Sequence, residues 1–564
     1  MSTISPEEVA RRRDALEQSL GSWTPRTLSA AFDDAAARFG DRPFAITDAE
    51  TLTYSQVADR SRRLAAGLID LGVRPGDRVA MLVDNRIDYP VLKFAIARTG
   101  AIAVALNYSY RGDEIVQRLA QAEASVLISI DRSVATDFLA VFDERFGGWE
   151  REVHSTEVPS LRRIVLVEDG WRSGAVTAPA LSGRGGLAAV DEASARIAAD
   201  DVADIVFTSG TTGHALGAEL THDMLLRSAY GSAYHRAFDD GWRIGFALPL
   251  YHVFGYIEGM LAVIFAGGAI VPQKVFNPRA TLEQIERHRI NEVLFVPTMT
   301  VAVVDQAAKT HVDLSSLQSV FSAAAPAPVW LWERVMTDLN PQMIFTGYGQ
   351  TEVSAATALT HPGDAIETVS AVVGAFKKGG RAAVDASGLL AEYRTVDPFD
   401  GHALPDGAEG ELVVRGPQVT RGYVGSGAPQ AVDADGWLRT GDLGFVDADG
   451  YIHLRGRSKE LFKVGGELVS PSEVEQVLSA ADGVSQAYVA GVPDERYGEV
   501  GWAWVVPVEG IELDERVLLT HTRKHLAPFK VPRGITIVTV EDLPMTTTGK
   551  IQKYLLVASH ADRE

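Results

Sequence analysis

The stretch Asp204-Ile-Val-Phe-Thr-Ser-Gly-Thr-Thr-Gly213 decides how this sequence is interpreted. An apolar run typical of a buried strand leads directly into residues that are only Thr, Ser or Gly. Glycines allow close approach of the backbone, and hydroxyl and peptide N–H groups can donate hydrogen bonds to an anion. The alternative is a polar turn after a strand. No Gly-Lys-Ser/Thr follows, so the loop is not a Walker-type P-loop, and by itself it supports phosphate binding no better than a turn.

Outward from this stretch, strand-like apolar runs alternate with helical patterns, which is typical of layered α/β architecture. Apolar residues at helical spacing predict a helix over Ser55–Leu71, and Arg78–Val83 predicts the next strand. The 564 residues are too many for one hydrophobic core. We predict a large layered N-terminal domain of sheets and helices over residues 1–457 and a small mobile α+β domain over residues 458–564. Residues 168–200, rich in Gly, Ala, Ser and Pro, are expected to form a surface loop or a loosely packed insertion with weak order.

Composition excludes several classes of function. With 74 acidic and 53 basic residues the net charge is −21, so the surface field repels phosphate backbones and nucleic-acid binding is disfavoured. The absence of cysteine excludes disulfides, thiolate metal sites and a thioester on the enzyme. The N-terminus has no apolar secretory segment, and the most apolar stretch, 259–271, is shorter than the ~20 residues that span a bilayer. We therefore expect a soluble, cytoplasmic protein without a membrane span.

Further motifs occur in a fixed order along the chain. They are Leu248-Pro-Leu-Tyr-His-Val-Phe-Gly255, Thr346-Gly-Tyr-Gly-Gln-Thr-Glu352, Thr440-Gly-Asp-Leu443, Gly456-Arg-Ser-Lys-Glu460 and Pro544-Met-Thr-Thr-Thr-Gly-Lys-Ile-Gln-Lys553. Together with the Thr/Ser/Gly loop, they resemble the motifs of the adenylate-forming superfamily, which includes acyl- and aryl-CoA ligases, luciferases and nonribosomal adenylation domains. The resemblance covers nearly the whole chain.

This resemblance implies a nucleotide site and a magnesium ion. The residues that it assigns to ATP or AMP are Thr208, Ser209, Gly210, Thr211, Thr212, Gly213, Ala324, Ala325, Pro326, Gly347, Tyr348, Gly349, Asp442 and Arg457. Among them Tyr348 would stack on adenine, while Asp442 and Arg457 would contact the ribose. The carboxylate of Glu352 would bind Mg²⁺, since a hard cation prefers oxygen ligands. The alternatives are a solvated loop acid for Glu352 and an ordinary ion pair for Asp442 or Arg457.

The catalytic assignments implied by the resemblance are Lys550, Glu352, Thr351 and His252. Lys550 would bridge the substrate carboxylate and the α-phosphate during adenylation, with Thr351 close to the same phosphate. His252 would border the acyl pocket, although a lone histidine is more often a packed core residue. The small domain would turn about Lys459 between adenylation and thioester formation, which would bring Gly465 and Gly466 to the pantetheine tunnel.

One position departs from the superfamily pattern. The lysine that usually follows the phosphate loop is Leu216 here, and an apolar side chain cannot supply a charge to the leaving phosphates. His214 is a candidate substitute.

Three functions remain open at this level. The first is ATP-dependent activation of a carboxylic acid as an acyl-adenylate, followed by transfer to coenzyme A. The second keeps adenylation but changes the partner, as in carrier-protein loading or activation of nitrite for diazotisation of an aryl amine. The third is a non-catalytic nucleotide-binding paralogue. The Gly465-Gly466 pair favours the first over the second, and Glu352, Asp442 and Lys550 argue against the third.

Overall fold

A computed structural model describes residues 4–208, 215–425, 429–494, 496–508, 510–545 and 551–561, without the side chains of Lys459 and Leu468. The chain forms two compact units. The first comprises Met1–Gly210, Ala215–Glu392 and Arg415–Gly436, and the second consists mainly of Tyr393–Val414 and Trp437–Glu564. The second unit begins before the predicted boundary at residue 457, and that boundary, the hinge at Lys459 and the mobility stay predictions.

The first unit holds two large sheets and one small one. Its strands are β1 Pro43–Ile46, β2 Thr51–Thr53, β3 Arg78–Leu82, β4 Ile102–Ala105, β5 Val126–Ser129, β6 Arg163–Leu166, β7 Val176–Thr177, β8 Val202–Phe207, β9 Gly217–Thr221, β10 Arg243–Phe246, β11 Ala269–Pro272, β12 Glu292–Phe295, β13 Ser319–Ser322, β14 Met343–Phe345, β15 Gly347–Gln350, β16 Ala355–Leu359 and β17 Ala375–Phe376. The sheet orders are β14-β13-β12-β10-β11-β1-β2, β7-β6-β5-β3-β4-β8-β9 and β15-β16-β17. Both large sheets are parallel except for one antiparallel edge strand each, β2 and β9.

The helices of the first unit cover the two large sheets. They are α1 Pro6–Leu20, α2 Leu28–Phe39, α3 Tyr54–Asp70, α4 Tyr89–Thr99, α5 Gly112–Gln121, α6 Phe138–Arg145, α7 Ala178–Leu181, α8 Leu187–Ser194, α9 His222–His235, α10 Pro278–His288, α11 Pro297–Ala307, α12 Val329–Arg334 and α13 Ile366–Ala371. A π-helix over Phe254–Leu261 continues as a 3₁₀ turn. One hydrophobic cluster joins both sheets through α2, α3, α4 and α9, and a second joins the first sheet to α10, α11 and α12. The predicted layered α/β class is confirmed.

Helix α3 shows how the sequence specifies one such element. Thr53 caps the helix in a reciprocal arrangement with Gln56, and Leu64 and Leu68 are fully buried on one face. The helix ends before Gly72, whose φ of +104° suits glycine.

The expectation of a weakly ordered loop over residues 168–200 was wrong. The segment adds β7 to the sheet edge and contributes α7 and α8. Leu181 and Val190 are buried, and a Cβ on Gly67 of α3 would collide with the carbonyl group of Leu181. Small residues here therefore permit close packing of helices. A segment that packs in this way can have the same amino-acid composition as a loop.

The second unit combines two sheets and three helices. Its elements are β18 Glu392–Val396, β19 Gly410–Arg415, β20 Leu438–Val446, β21 Ile452–Arg457, β22 Phe462–Val464, β23 Glu467–Val469, α14 Pro471–Ser479, β24 Val484–Asp494, β25 Gly498–Pro507, α15 Glu515–His525, β26 Gly534–Ile537 and α16 Lys553–Ala561. Helices α14 and α15 pack on one face of the β22–β26 sheet, and α16 packs on the other. Across the described ranges, no helix has the length and apolarity of a bilayer span.

Candidate active site

The carboxyl edge of the first sheet gathers three of the predicted segments. Because β10, β13 and β14 run parallel in one sheet, the residues that follow them lie at one edge. His252 follows β10, Ala324–Pro326 follow β13, and the Gly347–Glu352 motif follows β14. Parallel α/β sheets bind ligands outside the carboxyl ends of their strands.

A buried asparagine joins this edge to the second sheet. Asn85 comes shortly after β3 and is fully buried. Its Nδ2 donates to the carbonyl oxygen of Leu248 at 2.9 Å, and its Oδ1 accepts from the amide of Leu250 at 2.8 Å. Both partners lie within the four residues before His252, so Asn85 fixes the backbone that leads to the histidine.

His252 is held as a neutral imidazole with a defined tautomer. Its Nδ1 accepts a hydrogen bond of 3.2 Å from the amide of Phe254, and burial lowers the pKa of the ring to about 4. A neutral ring that accepts at Nδ1 carries its proton at Nε2. His252 can therefore donate a hydrogen bond from Nε2 at neutral pH without a charge.

The neck of the Thr/Ser/Gly loop is closed by its flanking residues. The amide of Thr208 donates to the carbonyl oxygen of Leu216 at 2.8 Å, and the amide of Leu216 donates to Oγ1 of Thr208 at 3.2 Å. These contacts continue the β8–β9 hairpin up to the loop. The remaining predicted phosphate-loop residues, Ser209, Gly210, Thr211, Thr212 and Gly213, lie outside the described residues, as does His214.

Glu352 lies in a 3₁₀ turn and has a tyrosine partner that is distant in sequence. The hydroxyl of Tyr423 donates to Oε1 of Glu352 at 3.1 Å. Burial, together with the carboxylate of Glu352, raises the pKa of Tyr423, so the phenol stays protonated and remains a donor.

The segment that contains Tyr423 also joins Glu352 to the strand after the loop. The amide of Thr420 donates to the carbonyl oxygen of Glu352 at 2.6 Å, and the amide of Val424 donates to that of Gly217 at 2.8 Å. Gly217 begins β9, directly after the neck of the loop. The segment 420–424 thus connects the predicted magnesium ligand to the strand that begins directly after the neck.

The Gly347-Tyr348-Gly349 strand packs so closely against its neighbours that neither glycine position has room for a Cβ. A Cβ on Gly347 would lie 2.7 Å from Leu359, and one on Gly349 would overlap the carbonyl oxygen of Ala355. Tyr348 between them is 8% exposed, and the neighbouring Thr351 is 7% exposed. The glycines therefore let β15 lie directly against β16, which supports the turn at Glu352.

Among the residues that the resemblance assigns to ATP or AMP, Ala324 has an unusual backbone. Ala324 has a φ of +75°, a left-handed conformation that costs energy in a residue with a Cβ. Ala324, Ala325 and Pro326 are all exposed.

Asp442 and Arg457, the predicted ribose residues, lie in the second unit. They are cross-strand partners on β20 and β21, and Nε of Arg457 is 3.0 Å from Oδ1 of Asp442. The side chain of Asp442 is 4% exposed and that of Arg457 35%. The ion pair weighed as an alternative is present, and it holds the carboxylate in one orientation.

The other predicted residues of the second unit belong to turns. Gly465 and Gly466 form the exposed turn between β22 and β23, with φ values of +59° and +95°. Lys459 lies in a 3₁₀ turn over Ser458–Glu460. Lys550 is outside the described residues.

Lys553, which ends the last motif, anchors the chain there. Its ammonium group lies 3.0 Å from Glu460 and 2.7 Å from Glu475. Burial by itself would lower the pKa of Lys553, but the two carboxylates outweigh it and raise the pKa.

Sequence reasoning missed Asn85, Tyr423 and Arg118. Arg118 lies on α5 beside the loop neck, where its Nη1 is 3.4 Å from the carbonyl oxygen of Ala215. Its spacing from Ile115 and Leu119 places it on the apolar face of a helix. A charged residue on such a face can be recognised from the sequence as a candidate functional residue. Asn85 and Tyr423 carry no comparable local signal.

Comparison with known proteins identifies the family of this chain. The family described as AMP-binding enzyme matches residues 32–424, and its C-terminal domain matches residues 473–550. A Mycobacterium tuberculosis CoA ligase named for a methyl-dioxo-octahydro-indenyl propanoyl group is 36% identical, over 94% of this chain and 98% of its own. Feruloyl-CoA synthase from an Amycolatopsis species is 34% identical, over 95% and 98%.

Solved structures of similar enzymes have the same fold. ATP-bound MatB from Rhodopseudomonas palustris is 26% identical with a TM-score of 0.77, over 95% of this chain and 99% of its own. The anthranilate CoA ligase AuaEII with anthranoyl-AMP is 26% identical with a TM-score of 0.79, over 94% and 97%. The chain belongs to the AMP-binding enzyme family. It is an ATP-dependent, AMP-forming acid–CoA ligase, which activates a carboxylic acid as its acyl-adenylate and transfers the acyl group to coenzyme A.

Proposed function

We propose that the acid substrate carries a ring system close to its carboxylate. Aromatic side chains flank His252 on both sides: Tyr251 meets Tyr108 edge-on at 5.2 Å, and Phe254 meets Phe321 edge-on at 5.0 Å. Such pairs provide flat, rigid apolar surfaces for a ring. Four relatives that are 33–36% identical are named for ring-bearing acyl groups, which supports the same substrate class.

Glu352 is our candidate ligand for Mg²⁺, and the residues around it fit this ion. Mg²⁺ keeps several waters and binds through one or two carboxylates plus substrate phosphates, so a single carboxylate beside a hydroxyl-rich loop is a suitable donor set. The hydroxyl of Tyr423 occupies one position on Oε1 and orients the group. When bound, the ion would neutralise charge on the phosphates.

The residues that we assign to adenylation have separate roles. His252 donates from Nε2 toward the substrate carboxylate and leaves it ionised, because the ring itself is neutral. A carboxylate oxygen attacks the α-phosphorus, the bond to the bridging oxygen breaks, and pyrophosphate leaves. Thr351 and Lys550 are our candidates for stabilising the charge that develops at the α-phosphate.

The second half-reaction uses residues of the second unit. The thiol of coenzyme A loses its proton to solvent and attacks the acyl carbon, the bond from that carbon to the phosphate oxygen breaks, and AMP is the leaving group. Asp442 and Arg457 are our candidates for holding its ribose during this step. We assign residues 458–564 to a domain that turns about Lys459 between the steps and lines the pantetheine tunnel with Gly465 and Gly466. We also assign the reaction to the cytoplasm, where both ATP and coenzyme A are available.

A matched panel of acids tests the substrate class. Pyrophosphate release is measured with phenylpropanoic, cinnamic and bicyclic propanoic acids, and with linear acids of equal carbon number, each with and without coenzyme A. We expect kcat/KM to be higher for the ring acids. A preference for the linear acids would refute the ring-binding proposal and leave the ligase activity intact.

A further inference from the structure

Arg118 differs from the other buried cations of the chain in its partners. Each remaining lysine or arginine that is buried in the described ranges has a carboxylate within ion-pair distance. These pairs are Arg12–Glu8, Arg86–Asp84, Lys93–Asp204, Arg98–Asp33, Arg227–Asp223, Arg236–Glu292 and Lys377–Glu258. Arg118 is 7% exposed and forms no ion pair with any described residue.

The hydrogen bonds of Arg118 all reach neutral oxygens. Nη1 contacts Oε1 of Gln121 and the carbonyl oxygen of Ala215, and Nη2 is 3.3 Å from Oε1 of Gln117. Its Nε is buried without an acceptor among the described residues. Burial of a charge without a counter-charge is costly, so this residue is poorly explained by stability alone.

The position of the guanidinium group indicates what it is for. Its Cζ lies 5.4 Å from the ring centre of Phe207, the last residue of β8, and Nη1 reaches Ala215 on the other side of the loop. Thr208 and Leu216 close the neck between these residues. The cation therefore lies beside the neck of the loop.

Two properties of the sequence, separate from this geometry, also indicate that ATP binding requires a cation beside the neck. The net charge of −21 makes the general field repel a polyphosphate, so its affinity must come from local donors. Leu216 occupies the position where the resemblance leads one to expect a lysine, and it has no charge.

We propose that the guanidinium group of Arg118 binds the polyphosphate of ATP. The interaction takes place at the neck formed by Phe207, Thr208, Ala215 and Leu216. This inference rests on the proposed function, because it assumes that the loop binds phosphates. Arg118 provides the counter-charge to the β- and γ-phosphates of ATP, and the same charge favours retention of pyrophosphate. AMP, which lacks those phosphates, gains little from it.

Calorimetric binding of ATP, pyrophosphate and AMP to the full chain tests the proposal. Arg118→Met removes the charge and approximately preserves side-chain length. We expect about 10- to 100-fold weaker binding of ATP and pyrophosphate, the usual effect of losing an interaction with a charged group, and an AMP affinity that is unchanged within about 2-fold. Gln121→Ala is the matched control, since Gln121 donates to the same carbonyl oxygen of Ala215 at 3.0 Å without a charge. In Gln121→Ala, the ratio of ATP affinity to AMP affinity should be the same as in the unmodified chain.

Two further variants keep the test decisive if Arg118→Met does not fold. Arg118→Lys retains the charge and should retain most of the preference for ATP over AMP. Leu216→Lys in the otherwise unmodified chain should improve ATP affinity by less than about 3-fold, because the cation is already present, whereas in Arg118→Met it should restore at least half of the lost preference on a logarithmic scale.

The results that would refute this inference differ from those that would refute the proposed function. Equal weakening of ATP and AMP by Arg118→Met, or a gain of ten-fold or more from Leu216→Lys alone, would show that Arg118 is structural. A chain that binds neither ATP nor AMP would refute nucleotide activation itself.

Discussion

The hydroxyl of Tyr423 donates a 3.1 Å hydrogen bond to Oε1 of Glu352, although 71 positions separate the two residues. This bond fixes the orientation of the predicted magnesium ligand. Because the raised pKa of Tyr423 keeps the phenol protonated, the bond persists throughout the neutral range.

We predict that Tyr423→Phe increases the magnesium concentration needed for half-maximal pyrophosphate release by about 10-fold, because loss of a partner of a metal ligand costs 10- to 100-fold in affinity. Glu352→Gln should have a larger effect on the same titration. Tyr488→Phe removes a hydroxyl that is bonded to Gln486 in the second unit and is the control. Identical titrations of Tyr423→Phe and the unmodified chain, together with a shifted Glu352→Gln titration, would contradict the positioning role.

Lys550→Ala should slow adenylate formation by ~10²–10³, the usual cost of one transition-state donor. Thioester formation from preformed acyl-adenylate should remain close to the unmodified rate. Rapid-quench measurement of each half-reaction separates the two effects. An equal decrease in both would argue against rotation of the small domain between the steps.

His252 gives a pH dependence with a definite sign. Burial lowers its pKa to about 4 from the ordinary value of 6.5, so between these values the unfolded chain binds a proton that the folded chain does not. The free energy of unfolding should therefore fall as the pH falls through this window, and this loss should be complete below about pH 4. Denaturant unfolding of the unmodified chain and of His252→Gln isolates this contribution as the difference between their pH profiles. His222, whose pKa burial also lowers to about 4, is present in both and cancels.

The same pKa predicts the activity profile. Pyrophosphate release should show no decline near pH 6.5 that depends on His252, since the ring is already neutral there. A decline near pH 6.5 that disappears in His252→Gln would mean that the ring titrates normally.

Gly349→Ala should destabilise the first unit, because the added Cβ would overlap the carbonyl oxygen of Ala355. Overpacking of this kind costs about 1–3 kcal/mol, which thermal unfolding can detect. The displaced strand should also increase the magnesium requirement, since Glu352 follows it. Gly147→Ala, at a site with nothing within 4 Å of the added Cβ, is the control. Equal stability of the two variants would contradict the packing argument.

Local sequence patterns predicted the secondary-structure elements, because these depend mainly on interactions between residues that are close in sequence. The strand before Thr208, a helix over Ser55–Leu71 and a small C-terminal fold all follow from periodicity and turn residues. The structure has β8, a helix shifted by one residue to Tyr54–Asp70, and a smaller second unit. The parallel strands also explain why His252 and the Gly347–Glu352 motif meet at one edge.

Contacts between distant segments could not be predicted in the same way. Asn85 contacts Leu248 across 163 positions, and Tyr423 reaches Glu352 across 71. No periodic pattern encodes either contact, because both depend on how the sheets are arranged. The error over residues 168–200 has another cause: a composition of small residues suits a loop and a tight helix contact equally well.

The ammonium group of Lys553 is shared between Glu460, beside the predicted hinge, and Glu475 on α14. The carboxylate of Glu475 also accepts from the amide of Val489 on β24 at 2.7 Å. Opening any one of these segments leaves a partly buried charge or acceptor in the others without its partner, so they open together as one cooperative unit. In native-state amide exchange, the start of α16 and the turn at Glu460 would then share one opening free energy.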